Sequence, residues 1–227
     1  MNKWKIEENS KYNRAVGEID YIVIDDILND TECRDMHRIL LNNPMWRKKN
    51  PISKHLYNSR PKCVMGSLLL ERVEALIRQK TNEELILIDH WALLYSKNTD
   101  GNMHADFGQF TLTYWLTPEE HNLNKNTGGL LLYDVQRPKN SSANQYLTAG
   151  GASEKYVSER TQNHVVVPYR HNRAVLFDSS HFHKTHTPNF DITKPEGMRM
   201  NLTFSYASTV HVIEQVELIN GEHKSNV

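Results

Sequence analysis

His104 and Asp106 are the residues of this chain whose types and spacing are best suited to chemistry. They lie in the stretch "GNMHADFGQFTLTYWL", which begins at Gly101. Alternate residues of an extended chain point to the same face, so the two side chains can converge on one point. A neutral imidazole and a carboxylate are both suitable ligands for a divalent transition metal. For the pair taken alone a hydrogen-bonded turn is the more common explanation, and the metal hypothesis therefore needs a further ligand.

That ligand can come from the stretch "NRAVLFDSSHFHKTHTP", in which three histidines follow an apolar run. Two histidines and one carboxylate on one face, with open positions opposite, describe the iron site of non-haem Fe(II) oxygenases. His181 and His183 would share one face of a strand and His186 would take the other. Strand parity therefore does not choose between the first two. An exposed polar turn is the alternative explanation for the three histidines.

A third stretch, "MRMNLTFSY", alternates polar and apolar residues. The alternation places Arg199, Asn201, Thr203 and Ser205 on one face. A strand with a polar inner face and a cation at its start can line a cavity for an anion, because a guanidinium binds a carboxylate through two hydrogen bonds. A polar face in contact with solvent is the alternative. The order of the three stretches along the chain favours the cavity.

In this order of motifs the chain resembles 2-oxoglutarate- and Fe(II)-dependent dioxygenases of the double-stranded β-helix type, close to the prolyl-hydroxylase-like branch. The resemblance runs from "LLYSKNTDGNMHAD" through "TLTYWLTP" and "GGLLLYD" to "NRAVLFDSSHFHKTHTP" and "GMRMNLTFSY", about half of the chain. "YIVIDDILNDTECRDMHRILL" also resembles the N-terminal strand and helix of that branch. The resemblance implies Fe(II) as the metal, with 2-oxoglutarate and dioxygen as co-substrates.

The resemblance also implies the metal ligands. His104 and Asp106 match the first two ligands of the family, and His183 matches the third because "LFDSSHFHKT" aligns with the family's phenylalanine-histidine ending. Related halogenases lack the carboxylate, and chloride occupies its place. The presence of Asp106 therefore implies hydroxylation or a related desaturation.

The co-substrate residues follow in the same way. Arg199 matches the arginine that pairs with the distal carboxylate of 2-oxoglutarate, and Tyr95 lies where the family often has a tyrosine that contacts this co-substrate. Thr203 or Ser205 is expected to add a hydroxyl contact. Two departures leave the hydroxyl partner open: the gap between the third ligand and the arginine is longer than in many members, and Asn201 replaces a common serine.

The expected substrate is a small polar metabolite such as a free amino acid, hydroxylated at an unactivated C–H with release of succinate and carbon dioxide. A protein or peptide side chain is the second candidate. Nucleic-acid demethylases of the family carry a second arginine six residues after the first, and here that residue is Ser205. A non-catalytic β-barrel module that binds a metal or 2-oxoglutarate is the alternative from another class.

A strand and two helices are predicted before the histidine-containing half of the chain. The run "YIVIDDIL" (Tyr21–Leu28) is rich in β-branched residues and predicts a strand. Asp30 or Thr31 is the expected N-cap of the first helix. The apolar residues expected on one face of that helix are Cys33, Met36, Ile39 and Leu40. Those expected on the second helix, "SLLLERVEALIRQK", are Leu69, Val73, Leu76 and Ile77. The segment Asn50–Pro61 between the helices predicts a loop.

Runs typical of strands fill the chain after Thr81. They are "LILIDHWALLYS", "FTLTYWLT", "GGLLLYDV", "HVVVPY", "RAVLFD", "MRMNLTFSYA" and "VHVIEQVELI". We expect a mainly β fold with flanking N-terminal α-helices and a double-stranded β-helix core of the jelly-roll or cupin-like kind. The expected single domain spans residues 1–227, with a strand and helices at about 18–82 supporting a β-helix core at about 85–219. The polar segment Arg137–Asn163 is expected to be either a lid over the site or a floppy insertion.

The bulk composition argues against several classes of protein. The 27 basic and 27 acidic residues balance, which disfavours a nucleic-acid binder that depends on an overall positive field. Cys33 and Cys63 lack the spacing of a metal cluster and are expected to be free thiols in a reducing compartment. Neither a signal peptide nor an apolar run of the roughly 20 residues that a membrane span needs is visible. We therefore expect a cytoplasmic protein with a small-molecule substrate and no membrane partner, and its oligomeric state leaves no signature in the sequence.

Overall fold

The computed structural model describes residue 19 and the ranges 21–48, 55–59, 64–81, 84–142, 145–147 and 152–225. The strands in these ranges are β1 (Tyr21–Asp25), β2 (Leu56–Ser59), β3 (Ile86–Tyr95), β4 (Phe110–Trp115), β5 (Leu130–Gln136), β6 (His164–Val167), β7 (Arg173–Asp178), β8 (His181–Thr185) and β9 (Arg199–Ala207). The helices are α1 (Asp30–Leu41), α2 (Val64–Lys80), α3 (Ala152–Ser158) and α4 (Thr209–Ser225). None of these four helices is both long and apolar enough to cross a membrane.

The strands form two antiparallel sheets, so the protein is mainly β. The larger sheet has the order β1-β7-β4-β9-β3-β2 and the smaller sheet the order β6-β5-β8. β4 and β9 pair in the middle of the larger sheet, and every residue of both strands is buried. These two central strands connect the functional residues described below.

The larger sheet packs against a different layer on each face. Leu202 and Phe204 of β9 belong to an apolar cluster that includes Met36 of α1 and Val73 of α2. A second apolar cluster joins the other face to residues of β5 and β6 in the smaller sheet. Side chains alternate along a strand, so the polar face of β9 is directed toward the smaller sheet. This polar face therefore lies in the interior, as the cavity hypothesis predicted, and not in solvent.

Helix α1 forms where it was predicted, but its N-cap is Asn29 rather than Asp30 or Thr31. The Asn29 side chain accepts a hydrogen bond from Glu32 N, and the Glu32 side chain accepts one from Asn29 N. This reciprocal capping box requires its acidic member three residues after the cap, and Glu32 fixes that position. Ile39, which was expected on the buried face, is 37% exposed.

Strand β2 lies inside the segment Asn50–Pro61 that was predicted to be a loop. It pairs with β3 at the edge of the larger sheet. Its four residues, "LYNS", are too few for a period of two to be visible, which explains why the sequence did not reveal the strand. The remainder of the segment, at 50–54 and 60–61, lies outside the described residues, as does Cys63.

The last predicted strand, "VHVIEQVELI", is wrong because these residues form part of helix α4. The Ser208 hydroxyl accepts a hydrogen bond from His211 N and caps the helix. Val210, Ile213 and Val216 are exposed, so the β-branched residues that suggested a strand have no sheet to join. The β structure therefore ends at Ala207 and not near residue 219, which shows how context overrides β-propensity.

Candidate active site

His104, Asp106 and His183 come together at the middle of β8. One ligand atom of each lies within 4.8 Å of the others. Asp106 Oδ1 is 3.4 Å from His104 Nε2, and Asp106 Oδ2 is 3.4 Å from His183 Nε2. The side chains of Asp106 and His183 are buried, whereas 31% of the His104 side chain is exposed, so the cluster is accessible beside His104. Within the described ranges, no other group of His, Cys, Asp or Glu side chains has the spacing of a metal site.

Backbone hydrogen bonds hold the two ligand-bearing segments side by side. His104 N donates to His183 O at 3.0 Å, and His183 N donates to His104 O at 2.8 Å. Asp106 N donates to Ser179 O at 2.9 Å, in the turn between β7 and β8. Residues far apart in the chain are thereby paired like neighbouring strands, and their side chains are directed to one point.

Both imidazoles present the same ring nitrogen to Asp106. Nδ1 of His104 lies 2.8 Å from Asn102 O, and Nδ1 of His183 lies 3.0 Å from His181 O. A carbonyl oxygen can only accept, so each Nδ1 is a donor, and each Nε2 is the nitrogen whose lone pair would bind a metal after loss of any proton there. A hydrogen bond from the second ring nitrogen is what orients most metal-binding histidines.

His181 and His186 lie outside this cluster. Nδ1 of His181 donates to Tyr133 O at 2.9 Å, and its Nε2 is 3.1 Å from Gln136 Nε2. Both ring nitrogens of His181 are therefore bound to other groups. His186 follows the end of β8 and does not join the cluster. Parity left His181 and His183 equivalent, but their hydrogen bonds distinguish them.

Asp106 is a buried carboxyl group that nonetheless favours its charged form. Burial raises its pKa, but the neighbouring His183 and His104 and a hydrogen bond from Thr111 outweigh that effect, so the pKa lies below its ordinary value. Thr111 Oγ1 donates to Asp106 Oδ2 at 2.7 Å. The cluster therefore offers two imidazole nitrogens and an ionised carboxylate, which is a donor set for a divalent cation.

Arg199 opens β9 and is 2% exposed. Its Nε donates to Gly128 O, and one terminal nitrogen donates to Asn201 Oδ1 at 2.8 Å. In the part of the chain that the structure describes, no acidic side chain pairs with this guanidinium, and burial lowers its pKa. An arginine remains protonated in proteins, so a buried positive charge lies here with unused donors.

Three aromatic rings surround the Arg199 guanidinium. The ring centres of Tyr95, Tyr169 and Trp115 lie 5.0, 5.9 and 6.0 Å from its central carbon. Tyr95 lies opposite Arg199 in the pairing of β3 with β9, and its hydroxyl is 2.8 Å from Thr185 Oγ1. The rings fix the guanidinium and exclude water from it. The structure thus brings Tyr95 and Arg199 together.

Thr203 and Ser205 continue the polar face of β9 away from Arg199. Thr203 Oγ1 accepts a hydrogen bond from Asn201 Nδ2 at 3.1 Å. Ser205 lies opposite Thr111 on β4, and its buried hydroxyl has no hydrogen-bond partner among the described residues. A rise of about 3.3 Å per residue separates Ser205 from Arg199 by roughly 20 Å along the strand. Ser205 therefore lies near the carboxylate of Asp106, and the side chain bound to Arg199 is Asn201.

The residues next to the ligands in the chain point in the opposite direction. Ala105 and Phe182 are fully buried in a small apolar cluster. Tyr146 and Tyr156 contact the Phe182 ring, with centroids 5.3 and 5.5 Å apart. Both tyrosines belong to the segment 137–163, whose described part includes α3 and supports the ligand-bearing strands from behind. The expectation of a floppy insertion is wrong for these described residues.

Sequence reasoning did not assign a contact to four residues that adjoin the predicted ones. Thr111 and Ser179 adjoin Asp106, and Asn201 and Gly128 adjoin Arg199. The alternation in "FTLTYWL" is the signal that could have identified Thr111, because a polar residue facing inward on a central strand needs a polar partner. Gly128 contributes a backbone carbonyl, which leaves no trace in residue type.

Comparison with known proteins yields structural relatives only. No protein-family model matches the sequence, and neither does any curated protein sequence. HygX from Streptomyces hygroscopicus, solved with nickel, 2-oxoglutarate and hygromycin B, has a TM-score of 0.57 at 12% identity over 83% of this chain and 82% of that one. SnoN, a non-haem α-ketoglutarate-dependent epimerase of nogalamycin biosynthesis solved with Fe³⁺, α-ketoglutarate and nogalamycin RO, has a TM-score of 0.58 at 15% identity over 83% and 78%.

A third relative carries the family name. An oxidoreductase of the 2OG-Fe(II) oxygenase family from Burkholderia pseudomallei has a TM-score of 0.52 at 12% identity over 82% of this chain and 84% of that one. At identities this low, the TM-scores show a shared fold and nothing beyond it. The chain has the fold of non-haem enzymes that use 2-oxoglutarate.

Proposed function

We propose that this chain is a non-haem Fe(II)- and 2-oxoglutarate-dependent dioxygenase, close to the prolyl-hydroxylase-like branch. The observation that carries the proposal is the presence, in one interior, of a two-histidine, one-carboxylate cluster and a buried arginine without an acidic partner among the described residues. The two antiparallel sheets would form the double-stranded β-helix, in a single domain over residues 1–227.

The metal cluster suits Fe(II). His104 and His183 offer Nε2 atoms whose rings are already oriented by backbone carbonyls, and Asp106 offers an ionised carboxylate. Two imidazoles and one carboxylate on one side, with the other positions open, are the donors that non-haem Fe(II) oxygenases use. These three residues would hold the iron and leave its opposite side to ligands.

The Arg199 pocket suits the distal carboxylate of 2-oxoglutarate. A buried charge without a counter-charge is unfavourable, and a carboxylate that accepts its remaining hydrogen bonds would relieve that penalty. Asn201 and Gly128 hold the guanidinium from the protein side. Tyr95 and Trp115 would exclude water around the bound carboxylate. Thr203 lies along β9 between Arg199 and the metal ligands, where it would line the co-substrate, and Ser205 would line the metal end of the same cavity.

Iron and 2-oxoglutarate, when bound, supply the oxidative chemistry, in which dioxygen is consumed and succinate and carbon dioxide are released. The protein residues orient these groups. Asp106 would occupy the ligand position that related halogenases leave to chloride, so we propose hydroxylation as the outcome. The epimerase SnoN demonstrates that this fold also supports other outcomes.

We propose a small molecule as the substrate. HygX was solved with hygromycin B bound and SnoN with nogalamycin RO, both small molecules. A polar metabolite, an amino acid among them, fits this size class better than a protein side chain. The position six residues after Arg199 holds Ser205, whose lack of charge disfavours a nucleic-acid substrate.

The test begins with metal-free protein under anaerobic conditions. One equivalent of Fe(II) followed by 2-oxoglutarate should produce a weak visible charge-transfer band, and admission of air should then release succinate. A screen of amino acids, small natural products and peptides for faster succinate release would identify the substrate class. Stoichiometric iron without a band on addition of 2-oxoglutarate would contradict the proposal. A band without succinate formation would indicate a binding module instead.

A further inference from the structure

Behind Asp106 lies a short chain of buried hydroxyl groups. Thr111 Oγ1 is 2.7 Å from Asp106 Oδ2 and 2.8 Å from Ser179 Oγ. Thr111 is 1% exposed and Ser179 is fully buried, so water does not compete for these bonds. Thr111 is the second residue of the central strand β4, and Ser179 lies in the turn between β7 and β8, so the contact joins the larger sheet to a ligand-bearing segment.

The direction of the hydrogen bonds in this chain is fixed by chemistry. A carboxylate oxygen accepts, and Thr111 Oγ1 is the donor to Asp106 Oδ2. The single hydroxyl proton of Thr111 therefore goes to Asp106, and the Thr111 oxygen can only accept from Ser179. Each donor in such a chain polarises the next, which strengthens the bond to the carboxylate.

Ser179 also contacts the same segment through its backbone. Its carbonyl accepts from Asp106 N at 2.9 Å, and its amide donates to Gln109 O at 2.9 Å. Asp106 is thus held at its backbone and, through Thr111, at its side chain. Each oxygen lies 3.4 Å from a ligand nitrogen, Oδ1 from His104 Nε2 and Oδ2 from His183 Nε2, but among the described residues only Oδ2 accepts a hydrogen bond from a hydroxyl.

We infer that Thr111 and Ser179 are positioning residues that hold Asp106 in single-oxygen coordination, with Oδ1 offered to the metal and Oδ2 bound to the Thr111 hydroxyl. This inference rests on the proposed metal site. A carboxylate that turned to bind through both oxygens would occupy a further metal position, which the co-substrates need. Thr111 therefore preserves open positions as well as metal affinity.

The experiment replaces Thr111 by an isosteric residue and measures metal binding without turnover. Metal-free wild type and the Thr111→Val, Thr111→Ser and Ser179→Ala variants are titrated anaerobically with Co(II), whose visible bands report the ligand geometry. We expect Thr111→Val to weaken Co(II) binding about 10–100-fold, the usual effect of removing a partner of a metal ligand. The bands of the saturated variant should also differ from those of wild type. Thr111→Ser should restore both, and Ser179→Ala should weaken binding less than Thr111→Val.

Thr113→Val is the matched control. Thr113 lies two residues further along β4 on the same face and is 6% exposed, and its hydroxyl contacts Asn201 at 3.5 Å rather than Asp106. It should leave the affinity and the bands unchanged. The inference is wrong if Thr111→Val also leaves the Co(II) affinity and the bands unchanged, or if both valine variants weaken Co(II) binding equally. If Thr111→Val does not fold, unchanged affinity in Ser179→Ala would overturn it.

The result for wild type separates this inference from the proposed function. A wild-type protein that takes up no Co(II) would overturn the proposed metal site and this inference together. If wild type binds Co(II) and its affinity and spectrum are the same as those of Thr111→Val, the inference alone is overturned.

Discussion

The two ends of the β9 polar face differ in how far the protein itself completes them. At the metal end, comprising His104, Asp106 and His183, every ligand has a protein partner that fixes its orientation. At the arginine end, comprising Arg199 and its neighbours Gly128 and Asn201, a positive charge lacks an acidic partner within the described ranges. The metal end is organised in advance, whereas the arginine end needs an anion.

This difference has an energetic meaning. Hydrogen bonds that orient the ligands at the metal end reduce the entropic cost of metal binding. Loss of a ligand should therefore weaken metal binding more than loss of a residue that orients a ligand. Burial of an unpaired charge at the arginine end destabilises the ligand-free protein, and that penalty is relieved only when an anion binds. Removal of a metal ligand should therefore act mainly on metal affinity, whereas removal of Arg199 should also relieve a penalty in the stability of the ligand-free protein.

The largest expected effect separates His183 from His181, which share a strand face. His183→Ala removes a Nε2 from the cluster and should abolish iron binding and 2-oxoglutarate decarboxylation. His181→Ala removes a ring whose nitrogens bind Tyr133 and Gln136, so measurable amounts of both should remain. Iron content after anaerobic reconstitution checks the prediction. A dead His181→Ala variant beside a normal His183→Ala variant would place the third ligand two residues earlier.

Arg199→Met tests the arginine end. We expect 2-oxoglutarate affinity to fall at least about 100-fold, because charge-assisted hydrogen bonds contribute roughly 1.5–3 kcal/mol each. Iron affinity should not change. The ligand-free variant should be as stable as wild type or more stable, since an unpaired buried charge is replaced by an apolar group. Equilibrium titration with 2-oxoglutarate and thermal unfolding measure the two effects.

Arg173→Met is the matched control for this variant. The Arg173 guanidinium pairs with both oxygens of Asp25 and so has the acidic partner that Arg199 lacks. Its loss should reduce stability and leave 2-oxoglutarate affinity unchanged. An Arg199→Met protein that binds 2-oxoglutarate normally, or that is much less stable than wild type without ligand, would refute the comparison.

Two core substitutions, one behind each end, should distinguish the metal end from the arginine end through smaller effects. Phe182 of β8 packs in the apolar cluster behind the metal ligands. The ring centroid of Phe190 lies 4.8 Å from that of Tyr169, one of the rings around Arg199. Phe182→Leu and Phe190→Leu should each cost on the order of 1 kcal/mol of stability. We expect Phe182→Leu to weaken metal binding more than 2-oxoglutarate binding, and Phe190→Leu to do the reverse, each by up to about tenfold. Equal loss of both affinities in both variants would mean that the ends are not separate.

The sequence was sufficient where side-chain type and alternation carry the information. The alternation of β9 predicted the inward polar face, and the order of motifs selected the three residues that the structure brings together. Parity could not choose between His181 and His183, because the difference lies in which carbonyl each ring meets. Thr111 and Ser179 were missed since their role depends on a contact between β4 and a distant turn.

Helix α4 marks a different limit. Its residues Val210, Ile213 and Val216 have high β-propensity, and the Ser208 cap at its start is a single-residue signal. Whether such a run becomes a strand depends on whether a sheet edge is available to it, which local sequence does not reveal. The same holds for β2, where an edge strand forms without apolar alternation.

The last prediction concerns His37, which lies on α1 and belongs to neither end. Acid should release metal from the metal end, and unfolding of the scaffold in acid could be mistaken for that release. Burial, with a smaller contribution from His171 and His121, lowers the pKa of His37 to about 4 from its ordinary 6.5. The unfolded chain therefore binds a proton at this residue below pH 6.5 that the folded chain does not bind until about pH 4. The stability that His37 contributes is complete above pH 6.5 and is lost as the pH falls to about 4.

His37→Leu isolates this contribution. The Nε2 of His37 is buried without a hydrogen-bond partner among the described residues, so leucine removes no hydrogen bond from that atom. Urea unfolding of metal-free protein at pH 7.5 and pH 4.5 should show a smaller fall in the free energy of unfolding for His37→Leu than for wild type. The difference should be at most about 3 kcal/mol, the equivalent of the pKa shift. An equal fall in both proteins would show that His37 does not set the acid sensitivity of the scaffold, and acid unfolding would then have to originate elsewhere, the metal end included.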